Sequence, residues 1–388
     1  MHILAVEDWP TLLAGGQERS LFEIISGLRS RGVGVTLAYE QEGDLVAEYQ
    51  RRGVHTFKIA TRALILKSWQ SPVLVASFAS SLWKILSEYR RGRNKWTLIY
   101  INQCFDVTLA VVCGAILGIP VVCHLRVAPP HYLSRQFRWG LKRCKLLVCN
   151  SHFTAKTYVD AGISMEQIVV VHNAIDTNFF SPVADSKRTM LAGRNDRQVL
   201  YVGRISPEKG LEVLIDAVAI VRQHDPRVSL LVVGSTCGHE ATVEYRASLQ
   251  GRARDSLGNA VQFREATLDT LELYGNADLT VLPSVWDEPF GRVVIESLAC
   301  GVPCLASRAG GVPEILTGKL ESLLFEKGNV EDLASHIQTH INWRVANPSL
   351  SKLCRQRVLA NFASGPMHRR VLELLSAAAL GNRSSDVR

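Results

Sequence analysis

Two glutamates lie near the start of a short helical run in the second half of the chain. Glu288 is in the loop Asp287–Gly291, and Glu296 follows one turn into the predicted helix Val293–Cys300. The apolar run Leu279–Leu282 precedes the loop and is typical of a buried strand. Because Pro fixes φ and Gly accepts positive φ, the Pro and Gly of this loop are expected to shape it. The stretch is therefore predicted to be a strand, a loop and a helix N-terminus.

The first backbone N–H groups of this helix, from about Phe290 to Val293, are predicted to point outward and form an anion site, which the helix dipole strengthens. Two carboxylates beside such a site would repel a phosphate unless they face hydroxyl groups. A sugar joined to a diphosphate meets both conditions, because amides and cations bind its phosphates while carboxylates bind its hydroxyls. The alternative is that Glu288 and Glu296 are solvated helix-start residues, which the dipole also favours.

A second group of candidate residues follows the predicted strand Val199–Val202. Arg204 and Lys209 lie in the segment Gly203–Gly210, directly before the predicted helix Leu211–Arg222. Arg offers a fixed bidentate fork for phosphate, and Lys offers a mobile point charge. A strand-to-helix loop delivers both to the carboxyl edge of a parallel sheet, where such sheets bind ligands. The alternative is an exposed basic turn before a helix.

The stretch EPFGRVVIESLACGVPCLAS, which contains Glu288 and Glu296, resembles the signature of retaining glycosyltransferases of family 4 (glycosyl transferases group 1), which have the GT-B fold. Gly203–Gly210 and Gly310–Glu314 are similar to other segments of that family. The resemblance extends over nearly the whole chain and is densest from residue 199 to 326.

Predicted strands alternate with predicted helices along the chain, which indicates an α/β fold with doubly wound parallel sheets. The resemblance implies the GT-B fold, in which two Rossmann-like domains face a central cleft. Residues 1–180 are then expected to bind the acceptor and residues 181–355 the nucleotide sugar. Helices within 356–380 are expected to cross back to the first domain.

The resemblance also implies a reaction. It is the transfer of a hexosyl group from a nucleoside diphosphate sugar, expected to be a UDP-sugar, to a hydroxyl of a glycan, lipid or small-molecule acceptor, with retention at the anomeric carbon. Polysaccharide or glycolipid biosynthesis is the expected setting. No Asp-x-Asp metal motif is present, and we expect neither a metal nor another cofactor beside the nucleotide-sugar donor.

Within this reaction, Arg204 and Lys209 are expected to stabilise the charge that develops on the β-phosphate. Glu288 is expected to orient the sugar, and Glu296 to accept hydrogen bonds from the ribose. Replacing either cation with Ala is expected to lower activity and to leave the folded state nearly unaffected. Arg264 lies in the region expected to meet the base.

Two residue groups of the first half belong to the same prediction. Gly15 and Gly16 follow the first predicted strand and begin a helix, where the resemblance places the donor diphosphate. His124 ends the predicted strand Val121–His124. Alone it would be an ordinary structural donor, but the family commonly places a His there near the donor sugar. The family often continues with Asp, whereas Leu125 and Arg126 follow here.

The residues predicted to act in catalysis are Glu288, His124, Arg204 and Lys209. The residues predicted to bind the donor are Gly15, Gly16, Arg204, Lys209, Arg264, Phe290, Gly291, Arg292, Val293 and Glu296.

Three other functions fit parts of the sequence. One is a nucleotide-sugar epimerase or hydrolase on the same fold, which would release free sugar or isomerised donor without an acceptor. Another is a non-catalytic sugar-binding protein, since two α/β lobes around a cleft also describe solute receptors. A third is a catalytically inactive partner subunit. Arg204 and Lys209 argue against the last two.

The positive charge is concentrated in the first half of the chain. Residues 1–182 carry 20 Lys and Arg and 13 Asp and Glu, or +7, against 24 and 23, or +1, in residues 183–388. This favours an anionic membrane surface or a charged acceptor as a partner, with solubilising charge as the alternative. Residues 62–97, expected to be less regular, contain a basic cluster and three Trp: Arg90, Arg91, Arg93, Lys95, Trp69, Trp83 and Trp96. No nucleic-acid-binding module is recognisable.

The nine cysteines are scattered and lack metal-ligand spacing, so we expect buried free thiols in a reducing cytoplasm. The first residues pass directly into a strand and are not expected to be a signal peptide. The apolar run between Asp106 and Arg126 is interrupted by Gly118–Pro120, which predicts a helix followed by a strand and not a membrane span. We therefore expect a cytoplasmic protein that is peripheral, at most, on the inner face of the membrane.

Overall fold

The computed structural model of the chain describes residues 1–11, 15–60, 71–93, 95–129, 133–184, 190–193, 195–236, 240–267 and 269–381. It forms two compact units. The first unit comprises Met1–Asn173 together with the C-terminal segment from Ser364, and the second comprises Ala174–Ala363.

The first unit is built on a seven-stranded parallel sheet with the order β3-β2-β1-β4-β5-β6-β7. Its strands are β1 His2–Glu7, β2 Gly34–Tyr39, β3 His55–Lys58, β4 Leu98–Ile101, β5 Val121–Leu125, β6 Leu146–Cys149 and β7 Ile168–Val170. The central strands read as continuous apolar runs because helices cover both faces of a parallel sheet.

The helices described around this sheet are α1 Gly16–Arg29, α2 Leu45–Arg51, α3 Pro72–Arg91, α4 Val107–Leu117, α5 Arg135–Leu141, α6 His152–Asp160 and, from the C-terminal segment, α14 Ser364–Ala379. The sheet grows in opposite directions from β1 and from β4. Right-handed crossovers therefore place α1 and α2 on one face and α3, α4 and α5 on the other. Consistent with this, α3 contacts α4, α4 contacts α5, and α14 contacts α1.

The second unit is built on a six-stranded parallel sheet with the order β10-β9-β8-β11-β12-β13. Its strands are β8 Arg197–Val202, β9 Val228–Val233, β10 Val261–Arg264, β11 Leu279–Leu282, β12 Cys304–Ser307 and β13 Leu324–Phe325. Its helices are α7 Leu211–His224, α8 Glu240–Leu257, α9 Thr270–Asn276, α10 Arg292–Ala299, α11 Val330–His340, α12 Trp343–Ala346 and α13 Ser349–Asn361. Both units are doubly wound, which confirms the predicted α/β class with two Rossmann-like domains.

The chain passes between the units at residues that differ from the predicted boundaries. The first passage is at Asn173 and Ala174, before the predicted boundary at 180, and the second is at Ala363 and Ser364. Within the predicted C-terminal segment 356–380, only α14 belongs to the first unit, because α13 packs on α10 of the second. Periodicity shows where a helix is but not which core it joins.

Side by side, the two ends of the second unit form a short parallel bridge. Ile175 pairs with Ala363, and its backbone N–H donates to the Phe362 carbonyl at 3.0 Å. On the first unit, α14 packs so closely on α1 that a side chain at Gly27 would collide with the His368 ring. The second unit is thus inserted into the chain of the first.

The prediction of irregular structure within 62–97 was wrong, because α3 spans twenty of those residues. The Ser71 hydroxyl accepts from the N–H of Leu74 and Pro72 occupies the first turn, both typical of a helix start. Trp96, which we grouped with the basic cluster, is buried between Phe57 and Tyr89. Trp69 lies outside the described residues.

The apolar run after Asp106 forms α4 and β5, as predicted, with Gly118 in the left-handed conformation at the helix end. None of the helices within the described ranges combines the length and the apolarity that a membrane span requires. Eight cysteines are buried free thiols, and burial raises the pKa of those at 113, 123, 144, 149, 300, 304 and 354. The ninth, Cys237, lies outside the described residues.

Candidate active site

The candidate residues of the second unit gather where its sheet changes direction. The connection after β8 leads to β9 on one side, whereas the connection after β11 leads to β12 on the other. Loops that diverge in this way leave a crevice at the carboxyl ends of the two strands, where open α/β sheets bind ligands. Arg204 and Lys209 lie in the first loop, and Glu288 lies in the second.

A backbone hydrogen bond and a close backbone contact join the two loops. The N–H of Val285 donates to the carbonyl of Glu208 at 3.1 Å. Gly210 has φ +66°, and a side chain there would collide with the Pro283 carbonyl. Only Gly combines this conformation with so close an approach. The spacing of the two loops is therefore fixed at the position from which Lys209 extends.

Lys209 and Glu288 form an ion pair between these loops. The Lys209 Nζ lies 2.5 Å from Glu288 Oε1, and the Ser284 hydroxyl donates to the same oxygen at 2.5 Å. The Lys209 ammonium also lies over the Trp286 ring, 5.4 Å from its centroid. The side chains of Lys209 and Glu288 are 12% and 8% exposed. One buried position thus holds a cation and an anion.

Burial alone would raise the pKa of Glu288, but the Lys209 ammonium and the hydrogen bonds from Lys209 and Ser284 hold this pKa below its ordinary value of 4.5. Glu288 is consequently ionised at neutral pH. Because its pKa is lower in the folded state, its contribution to stability is present above the ordinary value and is lost as the pH falls through the lowered one.

The backbone of Glu288 is held by the loop after β12. The Gly311 N–H donates to the Glu288 carbonyl at 2.7 Å. Gly310 has φ +58°, and a side chain there would collide with the same carbonyl. The Gly310–Glu314 segment, which resembles a segment of the family, therefore holds the backbone of Glu288 in place.

The helix start predicted to bind an anion is formed by α10. Gly291 precedes it in the left-handed conformation, with φ 100°, which favours Gly. Phe290 is buried and meets the Phe362 ring edge-on, with centroids 5.7 Å apart. Its side chain is therefore a packing residue, and only its backbone can serve a ligand. Val293 is half-buried at the start of α10.

Glu296 lies on the buried side of α10. Arg292 Nε donates to its Oε1 at 2.8 Å, and the Tyr274 hydroxyl donates to its Oε2 at 2.9 Å. The Glu296 and Arg292 side chains are 3% and 9% exposed. Any ligand hydroxyl that donates a hydrogen bond to Glu296 must therefore share the carboxylate oxygens with Arg292 and Tyr274.

The remaining cations are more exposed. Arg204 follows β8, is 43% exposed and lies 3.5 Å from Glu208. Arg264 ends β10, two strands from β8 in the sheet, and its side chain donates to Gln262 at 3.1 Å. The structure therefore brings Arg204, Lys209 and Glu288 to adjacent loops and places Arg264 further along the same edge.

The first unit has its own change of direction, between β1 and β4. Gly15 and Gly16, which begin α1, follow β1 on one side of it. Glu7 ends β1 and is buried, and Asn102 follows β4. The Asn102 amide donates to Glu7 Oε2 at 3.0 Å and to the Gln17 carbonyl at 3.4 Å, so it joins the end of β1 to the first turn of α1.

His124 lies on β5, next to β4, and is 1% exposed. Its Nδ1 is 2.6 Å from the Tyr100 hydroxyl and 3.3 Å from Arg126 Nη2. Since a guanidinium can only donate, Nδ1 is the acceptor and Nε2 carries the proton. Burial, together with the Arg126 charge, holds the pKa of His124 well below 6.5. No described residue accepts a hydrogen bond from the buried Nε2.

Arg126 connects this histidine to the rest of the carboxyl edge. It is 4% exposed and donates to Asn102 Oδ1 at 2.5 Å and to Asn173 Oδ1 at 2.8 Å. Its carbonyl accepts from the Asn150 amide at 2.9 Å. Arg126 thus places a buried cation beside His124.

The sequence predicted His124, but it did not predict this network. The available signal was that Glu7, Asn102 and Asn150 each end or follow a strand of the parallel sheet, at one edge. Polar residues at such positions are candidates for a ligand-binding edge.

Two family models match the chain in succession, one described as Glycosyltransferase Family 4 over residues 14–179 and one described as Glycosyl transferases group 1 over residues 185–353. The chain belongs to the family 4 glycosyltransferases. The matched ranges include every predicted site residue, and the suspected family is confirmed.

Among curated relatives of the chain, the D-inositol 3-phosphate glycosyltransferase of Segniliparus rotundus is 29% identical over 191 residues, 47% of this chain and 42% of that relative. The matched segment therefore spans about two fifths of the length of that relative. Sulfoquinovosyl transferase SQD2 of Arabidopsis thaliana is 26% identical over 380 residues, 89% of this chain and 70% of that relative.

Similarity to solved structures extends over nearly the whole fold. Anabaena Alr3699/HepE, in a crystal structure with UDP and glucose, superposes with a TM-score of 0.80 and 24% identity, covering 97% of this chain and 99% of that one. The predicted GT-B fold class is thereby confirmed.

We expect Lys209→Met to destabilise the glycosyltransferase by about 3 kcal/mol at pH 7, because it leaves Glu288 buried without its cation. Because Lys209 is in a buried ion pair, the sequence-based prediction that its replacement would leave the folded state nearly unaffected is corrected. In the variant, burial should raise the pKa of Glu288, so its deficit against wild type should shrink as the pH falls toward 4.5. Urea unfolding at several pH values measures this.

Lys327→Met is the matched control, because Lys327 forms an exposed pair with Asp287 at 2.8 Å and should cost less than about 1 kcal/mol. Adding Glu288→Gln to Lys209→Met should recover most of the loss. If Lys209→Met and Lys327→Met destabilise equally, Lys209 and Glu288 are not a buried pair in solution.

We expect His124 to be neutral, with its proton on Nε2, at pH 6.5, where an unperturbed His is half protonated, because burial and the Arg126 charge lower its pKa. Arg126→Met should raise the pKa of His124, since one of the two causes of its lowering is removed. Long-range ¹H–¹⁵N spectra report tautomer and pKa together. Arg135→Met, on the exposed side of α5, should leave both unchanged; an identical shift in the two variants would contradict the direct contact.

Proposed function

We propose that the chain is a retaining hexosyltransferase that moves a sugar from a nucleoside diphosphate, in the first instance UDP, to a hydroxyl. The observation that carries this proposal is the buried pair of Lys209 and Glu288 at the point where the second sheet changes direction. A cation suits the departing diphosphate, and a carboxylate beside it suits the hydroxyls of the sugar. A site for a phosphate alone would not require the carboxylate, and a site for a sugar alone would not require the cation.

Charge develops on the β-phosphate as the sugar leaves. Lys209, fixed by its ion pair, is preorganised to neutralise this charge, and Arg204 can approach from the same loop because its side chain is partly exposed. The backbone N–H groups at the start of α10 add a third source of positive potential. Preorganised groups of this kind stabilise a transition state without reorganising during the reaction.

His124 supports the proposal from the first unit. Its Nε2–H is a buried donor for which no described residue supplies an acceptor, and an unpaired buried donor costs about 1–3 kcal/mol. A sugar hydroxyl would satisfy it. Because His124 is neutral, it can bind a hydroxyl as a hydrogen-bond donor but is not suited to act as a general acid.

The same reasoning favours a front-face route with retention. Glu288 is ionised with a lowered pKa, which makes it a poor base for an acceptor hydroxyl at neutral pH. Its Oε1 is already engaged by Lys209 and Ser284. The departing phosphate is then the group placed to assist removal of the acceptor proton.

The choice of UDP and a hexose is supported by the solved relative, which was crystallised with UDP and glucose. The acceptor is proposed to be a glycan, a lipid or a small molecule bound mainly by the first unit. The eight buried free thiols support a cytoplasmic location.

The deciding experiment is mass spectrometry of products from UDP-, GDP- and ADP-sugars incubated with lipid and glycan acceptors. Acceptor-dependent transfer, with an α-linked product from an α-linked donor by NMR, is expected. Free sugar or isomerised donor without an acceptor would favour the hydrolase or epimerase. Binding of sugar without turnover would favour a sugar-binding protein.

Arg204→Ala should lower kcat by about a hundredfold, because it removes a charged donor to the leaving group. Its exposure predicts an unchanged midpoint of thermal unfolding. Arg204→Lys should retain part of the activity as a point charge. Arg254→Ala, an exposed residue of α8, serves as the control, and full turnover of Arg204→Ala would remove Arg204 from the proposed phosphate site.

We propose that no metal takes part in the reaction, since Arg204 and Lys209 supply the positive charge that a metal would otherwise supply. Initial rates should be unchanged after dialysis against EDTA. A complete loss of activity that Mn²⁺ or Mg²⁺ restores would overturn this part of the proposal, while leaving the transfer reaction itself intact.

A further inference from the structure

The outward face of α3 lacks the charged residues that a surface helix normally carries. From Pro72 to Trp83 the helix contains no charged residue. Its inward face buries Phe78, Ser81 and Ile85. Yet Val73 is 73% exposed and Trp83 is 64% exposed. A helix in water normally buries one apolar stripe and presents polar residues opposite. Over its first three turns this helix instead exposes mainly apolar residues, with Ser80 as an exposed polar residue among them.

One outward stripe of the helix is exposed along its length, and Val73, Leu74 and Val75 are exposed beside it in the first turn. With 100° per residue, Pro72, Ala76, Ala79 and Trp83 fall on one outward stripe, and that stripe continues to Arg90 in the last turn. Arg91 and Arg93 follow at the helix end, and all three arginines are exposed. The outward stripe is thus apolar over its first three turns and basic at its C-terminal end.

Neighbouring elements on the same face of the sheet continue this pattern. Phe105 before α4, Ile116 on α4 and Trp139 on α5 are exposed by 37%, 55% and 40%. The Arg143 guanidinium lies over the Trp139 ring, 4.3 Å from its centroid. Aromatic rings beside basic side chains suit the boundary between lipid headgroups and acyl chains.

The charge of the chain is concentrated in the same elements. Residues 49–159, which include α3, α4 and α5, carry 17 Lys and Arg and only 2 Asp and Glu. Residues 1–48 carry 3 and 8. The positive charge of the first half is therefore not spread evenly, and it coincides with the exposed apolar residues.

We propose that the outward face of α3, with its basic C-terminal end, binds an anionic lipid bilayer, on which the helix lies without crossing it. Apolar side chains would enter the interface while Arg90, Arg91 and Arg93 bind lipid phosphates. A second copy of the chain is a poorer occupant, because pairing this face with itself brings like charges together. This proposal does not depend on the transfer reaction.

The test is flotation of the full chain with phosphatidylcholine vesicles that contain either no anionic lipid or about 30% phosphatidylglycerol. Three variants are compared. The apolar variant is Val73→Gln with Trp83→Gln. The charge variant is Arg90→Gln, Arg91→Gln and Arg93→Gln. Lys95 is left intact because it donates to the Tyr89 and Arg90 carbonyls at the end of α3.

The control variant is Lys319→Gln, Lys352→Gln and Val345→Gln, which changes exposed residues of the second unit. Wild type and control should bind anionic vesicles and not neutral ones, and about 1 M salt should release them by shortening the Debye length to about 3 Å. The charge variant should bind about a hundredfold more weakly, since each basic residue near such a surface contributes a factor of about five. The apolar variant should also lose binding.

Three results would overturn the proposal. The first is no flotation of wild type with anionic vesicles at low salt. The second is retention of vesicle binding by both variants. The third is the absence of vesicle binding together with one of two other interactions. One is a salt-sensitive complex with soluble dextran sulfate that the apolar variant still forms. The other is a dimer that the Trp83→Gln substitution dissociates. Circular dichroism and unchanged thermal unfolding establish that the variants are folded.

Discussion

The ion pair of Lys209 and Glu288 constrains the whole carboxyl edge of the second unit. Removing two charges from water costs several kcal/mol for each ion unless geometry and hydrogen bonds compensate. Compensation here requires the loops after β8 and β11 to stay at a fixed spacing, which the contact of Gly210 with Pro283 provides. It also requires the loop after β12 to hold the Glu288 backbone at a close approach, which Gly310 permits. The two glycines are thus consequences of where one charge pair must be.

The first unit solves a related problem with a different arrangement. Arg126 is buried, and its guanidinium is distributed over amide oxygens of Asn102 and Asn173 and the imidazole of His124. Its charge helps to keep the histidine neutral, and its geometry fixes which ring nitrogen carries the proton. Where the second unit holds a carboxylate in its ionised form, the first holds an imidazole in its uncharged form. Both edges therefore present groups whose protonation state is set in advance.

Much of this could be predicted from the sequence, for physical reasons. The strands β8 and β11 are apolar runs bounded by Gly and Pro, and alternation with helices indicates a doubly wound sheet. Candidate residues in strand-to-helix loops, such as Lys209 and Glu288, could be assigned to the carboxyl edge before any contact was known. Their pairing could not be predicted, because sequence spacing does not show which loops the sheet order makes neighbours. The helix α3 could have been predicted, because its residues follow the helical period and Ser71 and Pro72 are typical of a helix start.

The insertion of the second unit bears on how the chain is synthesised. The second unit is one continuous segment whose ends are joined by the pairing of Ile175 with Ala363. The first unit is complete only when α14, which is made after the whole second unit, packs beside Gly27 on α1. Domains usually fold in the order in which a ribosome produces them. Here the N-terminal unit must wait for the C-terminal helix, so the later unit is the first that can finish folding.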